Sequence, residues 1–151
     1  MIDRFERFSL IISEISRYWH KITTAEMEKY GLKGTHSVYL TTMNRFEDGV
    51  TATQLCELCG KDKSDVSRMM SIMEQKGLVY KEGIHQNMYK GVFKLTEEGK
   101  AAAEFVDRRA RLAVTLAGKD ISDEKRAIMY EAMESIAANL QQLCNEGLPE
   151  E

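Results

Sequence analysis

Proline occurs once in the 151 residues, at Pro149, and no segment is of low complexity, which excludes disorder and long linkers. Cysteine is scarce as well. The three cysteines are odd in number. The first residues, Met-Ile-Asp-Arg-Phe-Glu-Arg-Phe, are charged and amphipathic and do not read as a secretory signal. Together these features predict a reducing cytoplasm and exclude a disulfide scaffold. No apolar run approaches the roughly 20 residues that span a bilayer. A Gly-rich phosphate loop, a G-x-S-x-G elbow and an acid pair in an evident cleft are all missing, so no enzyme is expected. Histidine is limited to His20, His36 and His85, too scattered to predict a metal or other cofactor.

What remains is an ordinary globular composition, 43% hydrophobic and 30% charged, long enough for a single domain over 1–151 with a buried core. The formal charge of −3 is unevenly spread. Residues 1–60 carry 7 Lys and Arg against 8 Asp and Glu, residues 61–96 carry 7 against 4, and residues 97–151 carry 7 against 12. A single basic segment between acidic flanks suits a protein that offers one surface to phosphate.

The basic segment contains an amphipathic helix. From Lys61 to Val79, Val66, Met69, Met70 and Met73 share one face at helical spacing, while Lys63, Ser64, Ser67, Arg68 and Ser71 occupy much of the other. Ser64 reads as the N-cap and Gly77 as the left-handed stop. Thr51 is expected to cap a preceding short helix, with Leu55, Cys56, Leu58 and Cys59 inward and Gln54 and Glu57 outward. Gly60-Lys61-Asp62 links the two. That arrangement is the helix-turn-helix plan, whose second helix fits a DNA major groove. After Gly77 the pattern turns extended, with strands expected over 78–81 and 88–95 and a polar tip at 82–87, a hairpin wing. Thr96-Glu-Glu-Gly99 caps the following helix, 97–117.

Both ends read as long helices. Residues 3–30 carry Phe5, Phe8, Ile12, Ile15, Trp19 and Ile22 in a three-four seam, which must be covered by the chain's own last helix, a second subunit, or both. A helix over 36–47, capped by Thr35, buries Tyr39, Leu40, Met43 and Phe46. The last helix, capped by Ser122, has a second seam through Met129, Met133, Ile136, Leu140 and Leu143. The fold class expected is therefore mainly α, a winged helix-turn-helix over 35–96 with a small β-hairpin wing, and a helical dimerisation region formed by 1–33 and 97–147.

In the order of its elements, and in the strings Thr51-Ala-Thr-Gln-Leu-Cys56, Ser64-Asp-Val-Ser-Arg-Met-Met-Ser-Ile-Met-Glu-Gln-Lys-Gly-Leu-Val79 and Lys94-Leu-Thr-Glu-Glu-Gly99, the chain resembles the MarR family of winged-helix transcriptional regulators. The resemblance covers essentially the whole chain. It implies a homodimer bound to double-stranded DNA at an inverted-repeat operator, usually as a repressor relieved by a small aromatic or anionic effector or by thiol oxidation. Carried over, it puts Ser64, Asp65, Ser67, Arg68 and Ser71 in the groove, with Thr53 and Gln54 near the backbone. Lys63 joins them on the basic face. The family's wing usually carries an Asp-x-Arg tip; this loop has no Arg, and only Lys81, His85, Asn87 and Lys90 could stand in.

Other groups compete for a role. Cys56-Glu-Leu-Cys59 is a C-x-x-C, readable as a redox pair or half a zinc site. Its mid-helix place and the lack of a second ligand pair favour a buried apolar role, and Cys144 could approach a symmetry mate. Trp19, His36, Tyr39 and Met43 are the candidate effector-binding residues. Arg108, Arg109 and Arg111 are expected to pair with acids of the terminal helices. Two alternatives to DNA-binding regulation stay open: a winged-helix protein-interaction module, and a thiol-redox sensor through Cys56 and Cys59.

Overall fold

The computed structural model describes residues 3–83 and 91–150. Two compact units divide the chain, one up to Arg111 and one from Leu112 onward.

The first unit opens with α1 (Arg4–Glu28), whose one buried residue is Met27. The expected seam is open to solvent along its length, with Phe5 74%, Ile15 58% and Ile22 44% exposed. The end of α1 is fixed by charge and aromatics. Glu26 accepts from Lys29 at 2.9 Å and from Arg109, far along the chain, at 3.3 Å, and Tyr30 meets Phe105 edge-on at 6.3 Å. The Lys29 contact, followed by that of Arg109, holds the Glu26 carboxyl below the usual carboxylate range against the opposing effect of burial.

Helix α2 (Ser37–Met43) is shorter than expected and is entered through a 3-10 turn, Gly34–His36. Thr35 does not cap it. The imidazole Nδ1 of His36 accepts from the Lys33 amide at 2.7 Å, and the Ser37 hydroxyl donates to the Gly34 carbonyl at 2.7 Å. The helix stops at Met43, leaving Phe46 outside it and 38% exposed rather than buried. Helix α3 (Ala52–Cys59) begins as expected, with Thr51 Oγ1 accepting from the Gln54 amide and the Gln54 carboxamide accepting from the Thr51 amide. Leu55 is buried, but Leu58 points outward and is 46% exposed, since an eight-residue helix buries only a narrow stripe.

Helix α4 (Lys63–Gln75) buries Val66, Met70 and Met73. Its N-cap is Asp62 rather than Ser64: the Asp62 carboxylate takes the Asp65 amide at 2.7 Å, two residues before the hydroxyl expected there. Gly77, at φ 71°, ends the helix, and the Leu78 amide returns to the Met73 carbonyl. Strand β1 (Val79–Glu82) pairs antiparallel with β2 (Val92–Leu95), placing Lys81 opposite Phe93 and Tyr80 opposite Lys94. The expected start of the second strand at 88–90 lies outside the described residues. Val50 adds a third edge by exchanging both backbone hydrogen bonds with Phe93. A single bridging residue leaves no periodicity to read, which is why the sequence did not announce it.

Thr96 closes this region onto α5 (Glu97–Ala117). Its hydroxyl donates to the Gly77 carbonyl at 2.6 Å and accepts from the Gly99 amide at 3.0 Å, while its own amide donates to the Leu78 carbonyl. Gly99 lies so close to Leu78 that a Cβ would stand 1.9 Å from the Leu78 carbonyl oxygen. The Leu-Thr-x-x-Gly string thus sets the first turn of α5 directly against the turn that follows α4. The core beneath holds Met27, Leu40, Leu55, Met70, Met73, Val79, Ala102 and Val106.

In the second unit, α6 (Asp123–Glu146) starts on Ser122, whose hydroxyl accepts from the Lys125 amide. Arg126 ties that turn by donating to the Gly118 and Ile121 carbonyls. No residue of α6 is buried, and its seam residues Met133, Ile136, Leu140 and Leu143 are 49%, 37%, 46% and 37% exposed. Among the described residues no helix is long and apolar enough to cross a membrane.

Gly99→Ala is expected to destabilise the fold by about 1–3 kcal/mol, because the methyl must displace backbone rather than a side chain; urea denaturation measures it. His36 is only 2% exposed, its Nε2 has no partner among the described residues, and burial pushes its pKa below the ordinary value of about 6.5. The unfolded ring takes up a proton more readily than the folded one, so its contribution is complete above that value and is lost as pH falls below it. Unfolding free energy should fall as pH drops below about 6.5, and His36→Asn should flatten the slope.

Candidate nucleic-acid interface

Residues far apart in the chain meet where the start of α3, the start of α4 and the wing converge. They enclose a cleft of about 330 Å³ lined by Thr51, Ala52, Thr53, Lys63, Val66, Ser67, Lys81, Gly91 and Phe93. Four of the sequence-predicted contacts, Thr53, Lys63, Ser67 and Lys81, thereby share one concave surface. Ser64, Arg68 and Ser71 lie exposed along the same helix. The charge is placed by local structure: the N-cap at Asp62 starts the helix so that Val66, Met70 and Met73 turn inward and the short polar side chains turn out.

Lys81 owes its position to two residues that the sequence reading passed over. Its Nζ rests 5.4 Å from the centre of the Phe93 ring. Gly91 leaves room for the lysine stem, since a Cβ there would come within 2.9 Å of Lys81 Cε. Across the hairpin the alternation of side chains sends Lys94 to the other face, where Glu82 takes it at 2.7 Å. Lys81 is therefore the strand cation left to the cleft. His85, Asn87 and Lys90, the other expected wing contacts, lie outside the described residues.

Two predicted contacts are engaged elsewhere. The Gln54 carboxamide completes the α3 capping box. Asp65 turns toward the body of the protein, where the Tyr39 hydroxyl donates to one carboxylate oxygen; Arg68 Nη2 lies 3.4 Å from the other. Tyr39 itself is fully buried, and burial, reinforced by Asp65, pushes its pKa far above the ordinary phenol value, so it remains a donor. No spacing rule links a core tyrosine on α2 to an aspartate on α4, which is why the pair was not foreseen.

The proposed effector residues are distributed differently from expectation. His36, Tyr39 and Met43 are 2%, 0% and 3% exposed and serve the core, whereas Trp19 is 40% exposed on α1. A groove of about 460 Å³ lies instead along α1, lined by Arg17, Tyr18, His20, Lys21, Thr24, Ala25 and Glu28. The arginine cluster of α5 divides: Arg109 reaches Glu26 as expected, Arg111 binds Asp107 of its own helix at 2.7 Å, and Arg108 leans on the Phe105 ring.

Among the described residues no group of three or more His, Cys, Asp or Glu side chains could hold a metal ion. Cys56 and Cys59 are free and half-buried. Burial pushes the Cys59 thiol up, against the opposing hydrogen bond from Thr42, which is the reverse of what a reactive thiolate requires. Native-state alkylation of Cys59 should be at least about tenfold slower than in urea, read by mass spectrometry of the modified peptide; equal rates would restore the redox reading.

Comparison with known proteins agrees with this architecture. The sequence profile of the MarR family matches residues 30–84. No protein with a curated description matches the chain in sequence. Among solved structures, a protein described as a MarR-family transcriptional regulator from Listeria monocytogenes, complexed with a 26mer DNA, is similar at TM-score 0.80 and 19% identity, over 100% of this chain and 99% of its own. The transcriptional regulator SlyA is similar at TM-score 0.80 and 18% identity, over 89% and 94%. CouR from Rhodococcus jostii, bound to p-coumaroyl-CoA, is similar at TM-score 0.74 and 19% identity, over 86% and 91%. Residues 30–84 match the sequence profile of the MarR family, and the chain as a whole shares the winged helix-turn-helix fold of these solved regulators.

Proposed function

We propose that the protein is a sequence-specific DNA-binding repressor that works in the cytoplasm as a homodimer and is released from its operator by a small ligand. The observation that carries this reading is the convergence of Thr53, Lys63, Ser67 and Lys81 on one cleft, beside the outward Ser64, Arg68 and Ser71 of α4. Hydroxyls and lysines suit phosphate oxygens, and a helix of this width enters a major groove. The Listeria relative in complex with DNA supports the assignment.

A homodimerisation region from 1–33 and 97–147 is supported by the apolar residues that α1 and α6 each leave in solvent, more than isolated surface hydrophobics account for. Two copies related by a two-fold axis would set two α4 helices about one DNA turn (~34 Å) apart and so read an inverted repeat. For the effector, Arg17 and Lys21 beside Tyr18 offer two cations and a ring along α1, chemistry that suits an aromatic anion. The ligand of CouR is such a compound.

Selection of bound duplexes from a random pool should recover an inverted repeat with half-sites about one turn apart. Binding to it should weaken steeply with salt, and Lys81→Ala should reduce the slope of log affinity against log salt by about 1 while leaving base preference unchanged. Failure to bind any duplex at about 50 mM salt, with or without aromatic acids added, would exclude the reading.

A further inference from the structure

Asp65 occupies a recognition-helix position from which a carboxylate could accept from a cytosine amine, yet both its oxygens are committed. One takes the hydroxyl of the buried Tyr39; the other lies 3.4 Å from Arg68 Nη2. The carboxylate is held from below while the guanidinium it faces is 69% exposed. Only one of the five N–H donors of Arg68 is needed for this contact, so the rest of the fork projects outward.

The electrostatic consequence depends on what approaches. Attraction to DNA of any sequence is carried by cations that neutralise phosphate and release counterions. A guanidinium already facing a carboxylate adds almost no net charge to the helix face that a phosphate approaches. A guanine edge differs: its O6 and N7 are neutral acceptors spaced for the free side of the fork, so Arg68 can take them without leaving Asp65.

We propose that Asp65, anchored by Tyr39, is a specificity-determining positioning residue that suppresses binding of Arg68 to phosphate and aims it at a base edge. The inference rests on the DNA-binding reading above and deepens it. Asp65 does not touch DNA in this scheme; it acts through Arg68.

Asp65→Asn tests it, because the amide oxygen can still accept from Tyr39 while the charge facing Arg68 is gone. Wild type, Asp65→Asn, Arg68→Ala and the double variant are titrated by fluorescence anisotropy against the selected inverted repeat and against a duplex of equal length lacking it, over a salt series. Thermal melts confirm that each is folded. Asp65→Asn is expected to bind the non-cognate duplex about threefold or more tightly and with a salt slope steeper by about 1, so that the cognate to non-cognate ratio falls about tenfold. In the Arg68→Ala background the same substitution should shift the ratio by less than about twofold.

Tyr39→Phe, which removes the anchor and keeps the charge, should lower the ratio without steepening the slope, a split that loss of stability alone does not produce; it also serves if Asp65→Asn folds poorly. An unchanged ratio and slope in folded Asp65→Asn, or an equal shift in the Arg68→Ala background, overturns the inference while leaving DNA binding intact. Wild type that binds neither duplex overturns the DNA-binding reading and this inference with it.

Discussion

The hydroxyl of Thr96 is the joint on which the arrangement depends. It ties the Gly77 carbonyl at the end of the recognition helix to the Gly99 amide in the first turn of α5, and the Thr96 amide binds Leu78. One residue thus fixes where α4 stops, where β1 departs, where β2 ends and where α5 begins. The close approach of Gly99 to Leu78 removes the freedom that would otherwise remain at this junction. Because the wing strands are anchored at the same point, the direction in which Lys81 leaves β1 relative to α4 follows from it.

Electrostatics in this molecule is a matter of which cations are left over. The chain is net acidic, and several arginines and lysines at or near the surface face carboxylates close by: Arg109 and Lys29 on Glu26, Arg111 on Asp107, Lys94 on Glu82, Arg68 on Asp65. Such exposed pairs contribute little stability individually. Their effect is subtractive, confining free positive charge to Lys63 and Lys81 at the cleft among the residues that line it. A surface of this kind attracts polyanions locally although the whole chain repels them weakly.

Much of the fold was legible because its signals are local. The three-four spacing of Phe5 through Ile22, the Thr51 capping box, Gly77 and the Thr96-Glu-Glu-Gly99 cap each act within a few residues, and each is present in the structure. The readings that needed revision turned on competition between neighbours. Asp62 displaced Ser64 as the cap because a carboxylate stood two residues earlier, and His36 displaced Thr35 because its ring reaches back to the Lys33 amide. The pairing of Tyr39 with Asp65 and the Val50–Phe93 bridge join segments 26 and more residues apart, where no sequence period connects the partners. Asp65 and Tyr39 are tied to each other across such a distance, whereas Gln54 and His36 make local contacts with Thr51 and Lys33.

The exposed apolar faces of α1 and α6 carry a thermal signature. Hydrating Phe5, Ile12, Ile15, Ile136 and Leu140 constrains water, and near room temperature the gain from covering them is almost wholly entropic. Any association through these faces therefore loosens in the cold and tightens on moderate warming, with a large negative heat-capacity change. The buried core of the first unit, Leu40, Leu55, Met70 and Met73 among it, obeys the same temperature dependence, since it too is held by apolar burial.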